Sequence, residues 1–155
     1  MDEARQVVGL LRAAGKTVAT AESCTGGLLG KLLTDVSGSS AVYPGGVISY
    51  SCEVKHRVLG VSQALLDAEG PVCPTVAEQM AQGVRRVIGA DFGIATTGIA
   101  GPNGDGSGKP VGLVYIACAS DKGTEVCELH LSGSRDEVRT AAARCVFQLV
   151  LKTLR

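Results

Sequence analysis

Apolar runs of strand length alternate with helical periodicity through the first hundred residues of the chain. The strand-like runs are TVATA, YPGGVISY and ADFGIATTG, and helix-like segments precede and separate them. Such alternation is typical of parallel strands joined by helical crossovers. The runs VGLVYIACAS and GTEVCELHLS then flank the turn DKG and predict an antiparallel hairpin, and a final helix follows. We therefore expect a single α/β domain over residues 1–155, of the three-layer α/β/α type with a mixed sheet.

Several polar residues have the spacing of helix caps. Ser51 precedes a short helical segment and has the side chain of an N-cap. Thr75 and Glu78 have the spacing of a capping box, and so do Ser134 and Glu137 before the final helix.

Composition and charge exclude several function classes. The chain carries 15 basic and 15 acidic residues and only 3% aromatic residues, which argues against nucleic acid as a partner. It has no apolar run of bilayer length and no signal peptide at its start, so we expect no membrane partner and a cytoplasmic location. The six cysteines form no C-x-x-C pair, and neither of the two histidines has a partner at metal-ligand spacing. We expect reduced, mostly buried thiols, no metal and no cofactor.

Polar clusters follow each of the three predicted parallel strands. They are ESCTGG, SYSCEVK and TTGIAGPNGDG. Ligands of open α/β sheets bind outside the carboxyl ends of the strands. Three such clusters at one edge of the sheet therefore predict a ligand site there.

The first cluster combines a hydroxyl with a glycine-rich helix start. Gly26 and Gly27 allow backbone N–H groups to approach an anion, either a phosphate or an oxyanion. Ser23 stands before them as a nucleophile or a hydrogen-bond donor. The alternative is structural: Ser23 or Thr25 is an N-cap, and the glycines allow the helix to pack on the sheet. That segment alone leaves both interpretations open.

The second cluster supplies a base that a serine nucleophile needs. Lys55 lies about one turn into the helix that follows Tyr50. A buried lysine with a lowered pKa can take the proton of a serine hydroxyl, and a tyrosine can relay one. The alternative for Lys55 is a solvated lysine on the helix surface.

The third cluster is glycine-rich but is not a phosphate-binding loop. Asn103 and Pro110 stand where the P-loop pattern requires Gly and Ser or Thr, and no G-x-G-x-x-G is present. We interpret the segment as a mobile rim above the hydroxyls of Thr96 and Thr97.

Two arginines near the start of the last helix share one face. Arg135 and Arg139 are four residues apart, and such a pair can clamp a phosphate or a carboxylate. We expect one of the two to pair instead with Asp136 or Glu137.

Taken together, these motifs resemble one known family. AESCTGG, SYSCEVK, TTGIAGP and KPVGLVYIA occur here in the order in which they occur in the C-terminal domain of competence-damage-inducible protein CinA. The same domain is found alone as the PncC-type nicotinamide-nucleotide amidohydrolase. The resemblance extends from about Val7 to Leu154 and implies an α/β domain. It also implies metal-independent deamidation of nicotinamide mononucleotide (NMN) to nicotinic acid mononucleotide and ammonia.

The resemblance also assigns roles to residues. It places Ser23 at the catalytic centre with Tyr50 and Lys55, and Thr97 in the site. It adds an arginine of the last helix, which we assign to Arg139 with Arg135 as the alternative. It further suggests a homodimer. The family's other arrangement fuses this domain to a larger nucleotide-hydrolysing domain, which we do not expect here.

The chain departs from the family pattern at two positions, and rival interpretations remain. Cys52 replaces the usual Asn after Tyr-Ser, and Gly108 replaces a frequent Glu before Lys-Pro-Val-Gly. Ser23 could orient a substrate that water attacks directly, and Cys24 is a rival nucleophile. Two functions compete with the amidohydrolase: a non-enzymatic nucleotide-binding regulatory module, and a structural subunit.

Overall fold

The computed structural model describes all 155 residues, and its elements follow the order expected from the sequence. The helices are α1 Asp2–Ala14, α2 Leu28–Thr34, α3 Cys52–Arg57, α4 Gln63–Glu69, α5 Pro74–Ile88 and α6 Arg135–Leu154, with a 3₁₀ turn at Ser39–Ala41. The strands are β1 Val18–Glu22, β2 Gly45–Ile48, β3 Phe92–Gly98, β4 Leu113–Ser120 and β5 Gly123–His130. None of the helices combines the length and the apolar character that crossing a bilayer requires.

The five strands form one mixed sheet in the order β2-β1-β3-β4-β5. β1 pairs in parallel with β2 and β3, whereas β4 pairs antiparallel with β3 and β5. The expected α/β fold with a mixed sheet is thus confirmed.

Each face of the sheet carries its own apolar core, because side chains alternate along a strand. Ile94 packs with α1, α2 and α6 on one face, where Phe147 is fully buried. Ala95 packs with α5 on the other face, where Met80 is fully buried. Gly93 allows α5 to approach closely, since a Cβ there would lie 2.1 Å from the carbonyl oxygen of Ala81.

Two of the three predicted caps are present. Ser51 accepts a hydrogen bond from the amide of Val54, and Ser134 forms a complete capping box with Glu137. The predicted box of Thr75 and Glu78 is wrong. Pro74 occupies the first helical position of α5, so the helix begins before Thr75, and Cys73 is the N-cap without a side-chain bond.

All six cysteines are free thiols. Cys24, Cys73 and Cys118 are buried and the other three are half-buried. The expectation of mostly buried thiols therefore holds for half of them.

The sheet positions the candidate site. Because β2, β1 and β3 are parallel neighbours, their carboxyl ends meet at one edge. Hydrogen bonds continue past the strand ends: the amide of Ser23 donates to Thr96, and the amide of Ser49 donates to Glu22. The first residues after β1 and β2 are thus fixed side by side.

Candidate active site

A cavity of about 190 Å³ opens at the carboxyl ends of the parallel strands. The three polar clusters of the sequence all contribute to it, as expected. The polar side chains on its wall belong to Ser23, Tyr50, Lys55, Thr97, Asp105 and Arg135.

Ser23 and Lys55 meet in this cavity. The Nζ of Lys55 lies 2.8 Å from the Oγ of Ser23, although 32 positions separate the two residues in the sequence. Lys55 is only 1% exposed and Ser23 is 8% exposed. The alternative that Lys55 is a solvated surface lysine is therefore wrong.

Backbone carbonyls hold the amine of Lys55 in place. Its Nζ lies 2.7 Å from the carbonyl oxygen of Ser49 and 3.1 Å from that of Tyr50. Ser49 is itself fixed, because its amide and its hydroxyl both donate to the carbonyl oxygen of Glu22. A neutral amine can donate to both carbonyls and still direct its lone pair at Ser23, which is the arrangement that a general base requires.

Burial favours the neutral form of that amine. Desolvation lowers the pKa of Lys55 to about 8 from its usual value near 10.5. About a tenth of the protein therefore carries a neutral Lys55 at pH 7, far more than an ordinary lysine would. In that form the amine can accept the proton of Ser23.

The same environment disfavours Cys24 as the nucleophile. Cys24 lines the cavity beside Ser23, but its side chain is 5% exposed. Burial raises the pKa of its thiol to about 11, so the reactive thiolate is scarce at neutral pH.

The amides of Gly26 and Gly27 are not free to bind a substrate anion, which corrects the expectation from the sequence. The amide of Gly26 donates to the carbonyl oxygen of Ser23. The carboxylate of Glu22 accepts from the amides of Gly27, Leu29 and Gly30 at 2.8 to 3.1 Å. Glu22 is 2% exposed, so the chain's own buried carboxylate occupies the start of α2.

Thr25 and Arg139 support the turn after β1 and do not line the cavity. The hydroxyl of Thr25 is fully buried and bonds to that of Thr96, so this structure does not place it on the cavity wall, where we expected it. Arg139 donates to the carbonyl oxygens of Cys24 and Thr25 at 3.1 and 2.8 Å. The assignment of the cavity arginine to Arg139 is therefore wrong as well.

Two other backbone amides of the turn remain unbonded. The N–H groups of Cys24 and Thr25 donate to no acceptor within the chain. In a trans peptide the N–H points opposite to the C=O. Because Arg139 holds the carbonyl of Cys24, the N–H of Thr25 points away from Arg139. Of these two residues only Cys24 lines the cavity, so its amide is the unbonded donor next to Ser23, of the kind that stabilises an oxyanion.

Arg135 is the arginine that reaches the cavity, and Tyr50 accompanies it. Its guanidinium donates to the carbonyl oxygen of Gly101 at 2.7 Å and lies 3.4 Å from the hydroxyl of Tyr50. The side chain of Tyr50 is 63% exposed and its hydroxyl bonds to neither Ser23 nor Lys55. The expected proton relay through Tyr50 is thus not formed, since only its carbonyl contacts the dyad.

The expected ion pair between one arginine and an acidic neighbour is also missing. Neither Arg135 nor Arg139 forms a salt bridge with Asp136 or Glu137. Glu137 is instead committed to the capping box with Ser134.

The glycine-rich segment forms a wall of the cavity and is tied down. Thr97 is buried on that wall and donates its hydroxyl proton to the carbonyl oxygen of Pro71. Asp105 also lines the cavity, and Lys109 donates to the carbonyl oxygens of Glu69 and Val72. The segment is thus anchored to the chain between α4 and α5.

Sequence reasoning missed three residues of the site. The signal for Glu22 was an acidic residue at the end of a buried strand, where a carboxylate needs strong partners. The signal for Asp105 was the single carboxylate within a glycine-rich loop. Ser49 contributes a backbone carbonyl that accepts a hydrogen bond from Lys55, and such a contact cannot be predicted from the residue type.

Lys55 is the only buried lysine of the chain. A larger open groove of about 580 Å³ lies between α5 and the β4–β5 turn, and it contains no serine–lysine pair. No group of three His, Cys, Asp or Glu side chains is placed to hold a metal ion.

Comparison with known proteins agrees with the sequence motifs. The family model of the CinA C-terminal domain matches residues 2–154. A CinA-like protein of Geobacter sulfurreducens is 50% identical over 137 residues, which cover 88% of this chain and 33% of the relative. The chain spans about a third of the length of the curated relatives that it matches.

Solved structures share the fold closely. The competence/damage inducible protein CihA from Agrobacterium tumefaciens superposes with a TM-score of 0.94 at 39% identity, covering 99% of this chain and 93% of that one. A competence or damage-inducible protein from Enterobacter asburiae gives a TM-score of 0.96 at 30% identity, covering 99% and 97% of the two chains. From the match over residues 2–154 we conclude that this chain belongs to the CinA C-terminal domain family.

Proposed function

We propose that this chain is an amidohydrolase that converts NMN into nicotinic acid mononucleotide and ammonia. The observation that carries the proposal is the 2.8 Å contact between the Nζ of Lys55 and the Oγ of Ser23 in a shared cavity. The choice of NMN rests on the resemblance of the motifs to the nicotinamide-nucleotide amidohydrolases. The reaction as written uses no metal and no cofactor.

In the proposed mechanism Lys55 acts as base and then as acid. Neutral Lys55 takes the proton of Ser23, whose Oγ attacks the carboxamide carbon. The resulting ammonium gives that proton to the leaving nitrogen, so ammonia departs and an ester remains on Ser23. Lys55 then takes a proton from water, which attacks the ester and releases the acid. As the bond from the acyl carbon to Oγ breaks, Lys55 passes the proton from water to Ser23, so the proton that Ser23 lost to ammonia is replaced.

The developing oxyanion needs donors that are already in place. The amides of Cys24 and Thr25 have no acceptor within the chain and belong to the turn that carries Ser23. One such donor typically contributes about 3 kcal/mol to transition-state stabilisation. We assign the phosphate of the nucleotide to Arg135, whose guanidinium reaches the cavity without an acidic partner.

The decisive experiment is ammonia release from NMN by the purified chain. Ser23→Ala should lower the rate by at least about a thousandfold, as loss of a serine nucleophile does elsewhere. Ser132→Ala is a matched control, because Ser132 is exposed and makes no hydrogen bond. If folded Ser23→Ala keeps near-native rates, water attacks directly and Ser23 only orients the substrate.

Two variants distinguish Ser23 from Cys24 as the nucleophile, and one binding measurement distinguishes the amidohydrolase from the two alternative functions. Loss of activity in Cys24→Ala but not in Ser23→Ala would transfer the nucleophile to Cys24. Tight binding of NMN by the wild-type chain without ammonia release would favour a regulatory nucleotide-binding module. A chain that neither binds nor hydrolyses NMN would be a structural subunit.

A further inference from the structure

Two opposite charges stand on the wall of the cavity that contains Ser23. They belong to Asp105 in the segment after β3 and to Arg135 at the start of α6. Neither residue forms an ion pair with any group of the chain. A cavity of about 190 Å³ thus carries a carboxylate and a guanidinium that do not neutralise each other.

The guanidinium of Arg135 has N–H donors that are not used within the chain. Its two contacts are the carbonyl oxygen of Gly101 and the hydroxyl of Tyr50, and both partners are neutral. A guanidinium has five N–H donors, so three remain for a ligand. Its charge and its remaining donors suit a phosphate group.

The carboxylate of Asp105 is ionised, and only one of its two oxygens accepts hydrogen bonds. One of its oxygens accepts hydrogen bonds from the amide and the hydroxyl of Ser107, while the other has no partner. The bonds from Ser107 hold the pKa of Asp105 below its ordinary value. The positive charge of Lys109 also lowers the pKa of Asp105, but the Nζ of Lys109 does not pair with the carboxylate. It bonds instead to the backbone carbonyls of Glu69 and Val72.

The two charges are also held by fixed parts of the chain. Lys109 anchors the segment after Asp105, and Arg135 binds Gly101 before it. Both ends of the segment that carries the carboxylate are therefore tied to the body of the domain. Because the segment that carries Asp105 is anchored, less conformational freedom is lost when its carboxylate contacts a ligand.

We infer that Asp105 and Arg135 select a zwitterionic ligand, one with a cationic aromatic ring and an anionic phosphate. Asp105 favours a positively charged pyridinium ring over a neutral dihydropyridine ring of nearly the same shape. The inference deepens the proposed function and rests on it for the choice of NMN. Lys55 adds a physical reason: its charged form would repel a ring cation in the same cavity, and the carboxylate of Asp105 offsets that repulsion.

The test compares NMN with its reduced form, dihydronicotinamide mononucleotide, whose ring is uncharged. Asp105→Asn should lower kcat/KM for NMN by about threefold to fivefold, as the loss of one exposed charge contact does. The value for the reduced nucleotide should change by less than about twofold, because a neutral ring gains little from the carboxylate. Asp105→Glu keeps the charge and should retain most of the preference.

Asp136→Asn is the matched control. It removes the same charge next to Arg135, on an exposed side chain that does not line the cavity. It should leave the ratio of the two kcat/KM values unchanged. An equal effect of Asp105→Asn and Asp136→Asn would mean that only net charge matters, and it would overturn the inference.

A binding measurement separates this inference from the proposed reaction. Calorimetric titration of Ser23→Ala and of Ser23→Ala with Asp105→Asn measures the affinity for both nucleotides without turnover. If the wild-type chain releases no ammonia but Asp105→Asn selectively weakens NMN, the reaction is wrong and the charge selection stands. If ammonia is released but both nucleotides respond equally, the selection is wrong and the reaction stands. Failure to bind either nucleotide overturns both.

Discussion

The amine of Lys55 lies 2.8 Å from the hydroxyl of Ser23, and two backbone carbonyls hold its remaining hydrogen-bonding positions. The charged amine can donate to all three oxygens, and the neutral amine can donate to the carbonyls while it accepts from Ser23. The geometry therefore fits both protonation states, as a group that alternates between base and acid requires.

The activity should depend on the protonation of Lys55. Because burial lowers its pKa to about 8, kcat/KM for NMN should rise about tenfold per pH unit below that value and level off above it. Initial rates of ammonia release between pH 6.5 and 9.5, a range of roughly three units around this pKa, measure the profile. Lys55→Arg should be inactive throughout, since its guanidinium does not deprotonate. A flat profile across pH 8 would argue against Lys55 as the base.

The lowered pKa of Lys55 also predicts a pH-dependent stability. Between about pH 8 and 10.5 the unfolded chain binds a proton on this lysine that the folded chain lacks, so the free energy of unfolding rises with pH. The destabilisation is complete below pH 8 and disappears as the pH approaches the unfolded value. Lys55→Met lacks this titration, and other groups cancel in the comparison. As the pH rises above about 8, the free energy of unfolding of the wild-type chain should therefore increase relative to that of Lys55→Met, by at most about 1.4 kcal/mol per pH unit.

Urea unfolding of the two proteins at pH 7, 8, 9 and 10 measures this difference. The difference should stay constant up to about pH 8 and then change in favour of the wild type. A constant difference over the whole range would mean that Lys55 keeps an ordinary pKa in the folded chain.

Sheet topology was sufficient to predict that Ser23 and Lys55 lie at the same edge of the sheet, and the family resemblance paired them. Ser23 and Lys55 follow β1 and β2, and parallel neighbours end at the same edge. The side on which Lys55 projects was not predictable from helical periodicity. It depends on the turn at Ser49 and Tyr50, which is fixed by bonds to the neighbouring strand.

The sequence predictions that failed concern the hydrogen-bond partners of polar groups in the folded chain. Arg135 and Arg139 share a face of α6, but four residues separate them by about 6 Å along the helix axis. That distance places one at the cavity and the other at the carbonyls of Cys24 and Thr25. The amide of Gly27 was expected to be free, and only the tertiary structure shows that Glu22 uses it.

Glu22 should support both stability and turnover without binding substrate. Its carboxylate joins the end of β1 to three amides at the start of α2 and so closes the turn that carries Ser23. Glu22→Gln removes the charge and replaces one acceptor oxygen with a donor group. We expect a loss of about 1–3 kcal/mol in the free energy of unfolding. We also expect a lower kcat with little change in KM, because Glu22 does not line the cavity.

Urea unfolding and steady-state kinetics measure the two effects, and Glu53→Gln is the matched control. Glu53 is 76% exposed and its carboxylate pairs with Arg57 on the surface, so its replacement should change stability by less than about 0.5 kcal/mol. A rise in KM for NMN with unchanged kcat in Glu22→Gln would instead place the start of α2 in substrate binding.

Replacement of the two arginines of α6 should separate positioning from binding. Arg139 fixes the carbonyls of Cys24 and Thr25 and thereby the direction of the N–H of Thr25. Arg139→Met should lower kcat by about tenfold to a hundredfold, the size expected when an oxyanion donor is misaligned, and leave KM nearly unchanged. Arg135→Met should raise KM for NMN more than it lowers kcat, because Arg135 lies on the cavity wall.

Kinetics with nicotinamide riboside, which lacks the phosphate, complete the comparison. Arg135→Met should affect this substrate much less than NMN, whereas Arg139→Met should lower kcat for both alike. Arg139→Lys keeps a donor near the carbonyls and should recover part of the rate, although it lacks the second arm of the guanidinium. The reverse pattern, with phosphate dependence confined to Arg139, would mean that the turn rearranges when substrate binds and that Arg139 then leaves the carbonyls.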